Sequence, residues 1–309
     1  MADPMRLLIA YDGSDGAAAG IRAAGCLFPG AGAVIVHVQH DHEALESGAL
    51  AGIATPDDVI AGVRRRQRAA HERAWELLGR AERVAEAAGL RPEPELRSGP
   101  TPWRAIADAA EAHDPDVVVC GKRGHGVFSR SLLGSTSSAL LHHGRHPLLI
   151  VPPGEVRRGG PVVVGYDGSD GARNAIETAA RCFPGREAIV VHGWSSPLTR
   201  SYPGTALSLV PVSDAQELTD DLTDLLAASA QDCAEAGAAL AAEAGLAARG
   251  VEFECGPGAW RALRDVASRE GAAVIVAGSG GRGAVRSAVL GSVSSGLAHN
   301  AETPVLIVR

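Results

Sequence analysis

The chain has 309 residues, 46% of them apolar, with 29 basic and 36 acidic side chains for a formal net charge of −7. That length fits about two domains, and the apolar fraction argues against disorder. An acidic balance with no basic stripe argues against nucleic-acid binding, which needs phosphate neutralisation.

The one lysine, Lys122, is followed by Arg123 rather than Ser or Thr, so a Walker P-loop is excluded. No run approaches the roughly 20 apolar residues of a membrane span. The early Asp3 and the short apolar stretch before Asp12 do not make a signal peptide. The five cysteines (Cys26, Cys120, Cys182, Cys233 and Cys255) form no C-x-x-C pair, which suits a reducing compartment. A cytoplasmic protein that partners neither membrane nor nucleic acid is expected.

In chain order, Arg6–Tyr11 is an apolar run ending at Asp12-Gly13-Ser14, the signal for a strand, a turn and a helix start; a helix is predicted over Gly16–Leu27. Ala33–Val38 reads as a buried strand and Asp57–Ala88 as a long helix stopped by Gly89. A weak strand follows at Glu93–Arg97, then a helix at Pro102–His113 with proline in its first turn. A strand at Val117–Cys120, a helix at Gly134–His143 and a strand at Leu148–Val151 complete the first half.

The second half repeats the first. Tyr11–Ala17 recurs letter for letter as Tyr166–Ala172, and Gly99–Val151 aligns without a gap on Gly256–Val308 with 23 of 53 positions identical. Its strands are expected at Val162–Tyr166, Ala188–His192, Val251–Glu254, Val274–Ala277 and Val305–Val308. Two tandem domains follow, 1–152 and 161–309, with a linker at 153–160 that is rich in Pro and Gly. Alternating strands and helices with unbroken apolar strands predict, for each domain, an α/β doubly wound fold: a parallel sheet covered on both faces. Ligands of such sheets bind beyond the carboxyl ends of the strands, where strand order reverses.

Both halves place a glycine loop there. Gly121 and Gly124 follow the fourth strand and, after nine residues, lead to Gly134-Ser135; Gly278 and Gly281 lead likewise to Gly291-Ser292. Glycines let backbone amides form an anion nest, and the helix that follows adds its positive end. Ser135, Ser137 and Ser138, with Ser292, Ser294 and Ser295, are expected to supply hydroxyl donors. Asp12 and Asp167, just after the first strand of each half, either accept ribose hydroxyls, help hold Mg²⁺, or cap the next helix.

His37 and His192 at strand ends read as buried histidines satisfied by neighbouring backbone. His40 and His42 have no counterparts in the second half, which argues against a metal site shared with His37. Trp103 and Trp260, each in Trp-Arg-Ala, read as packing residues. No obvious general base accompanies either loop, so turnover is expected to be slow at most.

Glycine, two residues, glycine, nine residues, glycine, then Ser or Thr resembles the nucleotide motif of the universal stress proteins. The likeness spans both halves, including Asp12 and Asp167, His37 and His192, and the closing Pro147 and Pro304. It implies a tandem protein of the ATP-binding branch: a five-stranded parallel sheet in the order 3-2-1-4-5 in each domain, ATP between strands 1 and 4, and the domains paired as an intramolecular pseudo-dimer, with a homodimer as a further option. Carried over residue by residue, the ligand set is Asp12, Val38, Gly121, Gly124, Gly134, Ser135 and Thr136 in the first domain. In the second it is Asp167, Gly193, Gly278, Gly281, Gly291, Ser292 and Val293, with Mg²⁺ as an option near Asp12 and Asp167.

The resemblance implies a stress-response regulator modulated by nucleotide occupancy. A slow Mg²⁺-dependent ATP hydrolase or transferase, or a module for another adenine nucleotide such as cyclic AMP, are the alternatives. Two departures stand out. Lys122 occupies a loop position that is usually small or hydroxylic. Val38 and Gly193, at the position that holds adenine through its backbone, differ from one another.

Overall fold

The structure is a computed structural model that describes residues 5–39, 57–124, 133–154, 156–195, 212–255, 258–280 and 290–309. His40, His42 and Gly281 lie outside the described residues. The chain divides into two compact units, Met1–Glu155 and Val156–Arg309.

The first unit runs β1 (Arg6–Ala10), α1 (Asp15–Leu27), β2 (Gly32–Gln39), α2 (Asp57–Ala87), β3 (Arg91–Ser98), α3 (Pro102–His113), β4 (Val117–Gly121), α4 (Ser135–His143) and β5 (Leu148–Val151). The second repeats this as β6 (Val162–Gly165), α5 (Asp170–Cys182), β7 (Glu187–Trp194), α6 (Val212–Glu243), β8 (Ala247–Glu254), α7 (Trp260–Arg269), β9 (Val274–Gly278), α8 (Ser292–Asn300) and β10 (Val305–Val308). In the first unit the strand order is β3-β2-β1-β4-β5, and in the second β8-β7-β6-β9-β10, every pair within a unit being parallel. This is the predicted 3-2-1-4-5 sheet, twice.

Composition explains the positions. After Arg6 at the edge of β1, the strands β1, β4 and β5 are apolar runs, and every residue of Leu7–Ala10, Val117–Cys120 and Leu148–Val151 is buried, as strands covered on both faces require. α1 packs with α2, and α3 packs with α4. Right-handed crossovers place the first pair on one face and the second on the other, because the chain reverses its direction of travel across the sheet after β3.

β3 is longer than its sequence predicts. The sequence places a weak strand at Glu93–Arg97, yet pairing with β2 runs from Arg91↔Gly32 to Ser98↔Gln39. The Arg91 amide donates to the Ala31 carbonyl (2.9 Å), so odd-numbered residues face β2. Pro92 and Pro94 fall on the outer edge, where a missing N–H costs nothing and blunts the edge against pairing. β8 also begins earlier than expected; its Ala247-Ala248-Arg249-Gly250 has weak strand propensity, and pairing with β7 imposes the strand.

Candidate functional site

Each domain opens a crevice at the carboxyl ends of its first and fourth strands, where the crossovers diverge. The first, of about 600 Å³, is lined by Tyr11 and Asp12 after β1, Val36–Gln39 of β2, Cys120 and Gly121 of β4, and Gly134–Ser137 at the start of α4, among others. The second, of about 460 Å³, is lined by the matching Tyr166, Asp167, Val191–Gly193, Ala277, Gly278 and Gly291–Ser294. Both volumes are typical of small-molecule sites.

All seven residues expected in the first ligand set line its crevice: Asp12, Val38, Gly121, Gly124, Gly134, Ser135 and Thr136. Of the second set, Asp167, Gly193, Gly278, Gly291, Ser292 and Val293 line theirs.

The turn after each first strand is built by its own side chains. Asp12 Oδ1 accepts the Ser14 amide (2.9 Å), and Ser14 Oγ accepts the Ala17 amide (3.1 Å), capping α1. The second domain repeats both bonds, Ser169 N–H to Asp167 Oδ1 at 3.0 Å and Ala172 N–H to Ser169 Oγ at 3.2 Å. The helix cap therefore falls on the serines, each worth about 1 kcal/mol. His37 Nδ1–H donates to the Tyr11 carbonyl and His192 Nδ1–H to that of Tyr166, each at 2.8 Å. A carbonyl only accepts, so Nδ1 carries the proton.

The loop glycines divide into separate roles. A Cβ on Gly121 would lie 2.6 Å from the carbonyl carbon and oxygen of Gly16, and one on Gly278 would lie 2.4 Å from the Gly171 oxygen. These glycines let the loop touch the first turn of the first helix. A Cβ on Gly124 would lie 2.2 Å from Asp12 Oδ2, so that carboxylate rests against the loop backbone. Gly134 and Gly291 are helix N-caps in extended backbone. Their own amides close the loop onto the Lys122 carbonyl (2.9 Å) and the Ser279 carbonyl (2.7 Å).

A glycine cap brings no side-chain acceptor to the first turn. The amides of 135–137 and 292–294 are then the donors that each helix leaves over by its geometry, at the positive end of its dipole.

Two expectations are corrected here. Ser137 and Ser294 do not offer hydroxyl protons to a ligand: both are buried, and they donate to the Gly121 carbonyl (2.8 Å) and the Gly278 carbonyl (2.6 Å). Ser138 and Ser295 are not among the lining residues, whereas Ser135 and Ser292 are. Lys122, at the loop position that is usually small or hydroxylic, is buried at 4% exposure and is not among the lining residues.

Trp103 and Trp260 pack within their own domains. Trp103 stacks on His143 of α4 (5.1 Å between centroids), and Trp260 fills the space a side chain at Gly296 of α8 would need. Cys120 is a wall residue whose thiol burial pushes up to about 12, so it stays protonated at neutral pH.

Residues outside the repeated motifs also line the first crevice. Ala70, Arg73, Ala74 and Leu77 of α2 recur at helical spacing and form one wall, and Arg123 lies in the loop itself. The spacing was visible in the sequence, but the two halves diverge along this helix, and Arg123 aligns with Gly280.

The universal stress protein family model matches residues 5–152 and again 160–309, nearly the whole chain. The chain belongs to the universal stress protein family. A universal stress protein of Mycolicibacterium smegmatis is 31% identical over 242 residues, 73% of this chain and 71% of that protein. One of Mycobacterium tuberculosis is 29% identical over 206 residues, 64% of this chain and 63% of its own length. Among solved structures, a universal stress protein from Archaeoglobus fulgidus matches with a TM-score of 0.59 at 20% identity, covering 99% of each chain. A protein of unknown function from Pseudomonas aeruginosa matches at 0.51 and 11% identity, covering 99% of this chain and 92% of that one. The two-domain universal stress fold therefore spans this chain. Among the described residues, no helix is long and apolar enough to cross a membrane.

Proposed function

We propose that this universal stress protein is a cytoplasmic stress-response regulator that binds adenine nucleotide, ATP foremost, in a crevice of each domain. The observation that carries this reading is the duplicated meeting of a first-strand aspartate, a glycine loop held against the first helix, and a glycine-capped helix start around one cavity. Leftover helix amides and the dipole end favour a polyphosphate tail. Ser135 and Ser292 add hydroxyl donors, with Gly121, Gly124 and Gly278 shaping the cradle.

Val38 and Gly193 would meet the base through their backbones. Asp12 and Asp167 would meet the ribose or a Mg²⁺ ion, which is commonly held by one or two carboxylates together with the nucleotide phosphates. When bound, Mg²⁺ supplies charge neutralisation at the phosphates. The chain's own contribution is to orient the tail and hold it. One aspartate oxygen is already committed to the Ser14 or Ser169 amide, which suits holding a ligand better than removing a proton from water.

Regulation then requires that ATP bind one conformation better than another, since a ligand of equal affinity shifts nothing. The test is to release small molecules from freshly purified protein by denaturation, identify them by mass spectrometry, and titrate the stripped protein with ATP and Mg²⁺. The expected result is adenine nucleotide in the released pool and saturable ATP binding. Stripped, folded protein that does not bind ATP at millimolar concentration overturns the reading.

A further inference from the structure

The two crevices descend from one repeat but have not kept the same lining. The first holds about 600 Å³ and the second about 460 Å³. At matched positions of the repeat, Arg123 of the first loop is replaced by Gly280 in the second, and Thr136 at the start of α4 by Val293 at the start of α8. The first therefore carries a guanidinium and a hydroxyl beside its phosphate cradle where the second carries hydrogen and an isopropyl group.

The first crevice also has a wall from α2 that brings exposed Arg73 to its edge. Leu77 of that wall sits over the Asp12-Gly13 turn, its Cδ2 2.8 Å from where a Gly13 Cβ would be. The second crevice narrows at its other end. Ala259 and Ala262 approach Gly193 so closely that a Cβ there would lie 2.9 Å from Ala262 Cβ and 3.3 Å from Ala259 Cβ. Val38, by contrast, carries a full side chain at the equivalent place in the first.

From these exchanges we infer that the crevices weigh phosphate charge differently: both take adenine nucleotide, but the first strongly favours the polyphosphate form, whereas the second discriminates little between ATP and a nucleoside monophosphate. This rests on the nucleotide reading above. Charge-assisted hydrogen bonds from guanidinium to phosphate are the strong kind, and each extra phosphate gains only where such a donor stands. Among the described residues the second crevice has no guanidinium at these positions, so it gains little from a second or third phosphate.

Single-crevice variants of the full chain test this. Thr136→Glu and Val293→Glu each put a carboxylate at the second residue of a helix, where it suits the helix dipole but repels phosphate. In Val293→Glu, titration calorimetry should show the remaining crevice preferring ATP over AMP by about thirtyfold, the scale of one or two charged hydrogen bonds. In Thr136→Glu, the preference should be no more than about threefold.

Arg123→Ala in the otherwise unaltered chain is the second arm, independent of how the glutamate variants fold. It should weaken the tight ATP phase about tenfold and leave AMP binding as it was. Equal preference ratios in the two glutamate variants, or an unchanged ATP phase in Arg123→Ala, overturn the division while leaving nucleotide binding intact. Absence of both ATP and AMP binding in the unaltered chain removes the nucleotide reading and the division with it.

Discussion

Gly121→Ala should cost the first domain about 3 kcal/mol of stability, the upper part of the range for overpacking, and at least tenfold in ATP affinity. Gly134→Ala should cost only about 0.5–1 kcal/mol, the difference between a glycine and an alanine N-cap. A motif treats these glycines alike, whereas the structure separates them. A Cβ at 121 would be driven to 2.6 Å from the Gly16 carbonyl and 3.1 Å from the Ala17 amide nitrogen, all backbone atoms of the helix start that cannot rotate away. Relief requires the loop to move off α1, and the amides at its far end move with it.

Gly134 has φ −63° and ψ 155°, a conformation any residue adopts, and a Cβ there would meet Ser137 Oγ at 3.4 Å as its nearest neighbour. Urea unfolding with ATP titration checks both variants. Equal losses from both would mean that the contact with α1 is not what holds the loop.

Asp12→Asn and Asp12→Ala should part company. Asparagine keeps an oxygen to accept the Ser14 amide, the bond Asp12 Oδ1 makes at 2.9 Å. Its folding stability should stay within about 0.5 kcal/mol of the unaltered chain, since a net hydrogen bond is worth about 1 kcal/mol and this one is retained. Alanine loses that acceptor and should cost about 1–2 kcal/mol, because a part-buried amide is left without its partner.

Binding should follow a different order. Both variants lose the carboxylate charge beside the glycine loop, so both should lose about tenfold of the Mg²⁺-dependent part of ATP affinity, the scale of a charged contact. Titrations with Mg²⁺ and with EDTA separate the effects. An Asp12→Asn protein whose Mg²⁺-dependent affinity is unaltered would reduce Asp12 to a turn-forming residue.

The doubly wound sheet could be read from the sequence because parallel strands buried on both faces carry an unmixed apolar signal, as in Val117–Cys120 and Leu148–Val151. The site region could be read because duplication separates a constrained turn from chance: Tyr11–Ala17 and Tyr166–Ala172 are identical. The early starts of β3 and β8 could not, since an edge strand takes its conformation from a neighbour. In β3, Pro92 and Pro94 weaken the strand signal until register places them on the outer edge.

The roles of Ser137 and Ser294 were hidden for another reason. A serine one turn into a helix looks like a ligand donor, and only the fold shows the carbonyl of Gly121 or Gly278 waiting for its proton. Likewise Arg123 and Arg73 carry no signal in the duplication, because the halves differ there.

The central claim is that the first-turn amides of α4 and α8 hold the phosphates of a nucleotide. Hydrogen–deuterium exchange resolved to single amides tests it most directly, because amides that the helix does not bond exchange quickly in the free protein. Saturating nucleotide should slow exchange at Ser135, Thr136 and Ser137 and at Ser292, Val293 and Ser294, while Trp103 in the first turn of α3 stays fast. Bound nucleotide with unchanged exchange at those six amides, and protection elsewhere, would contradict it.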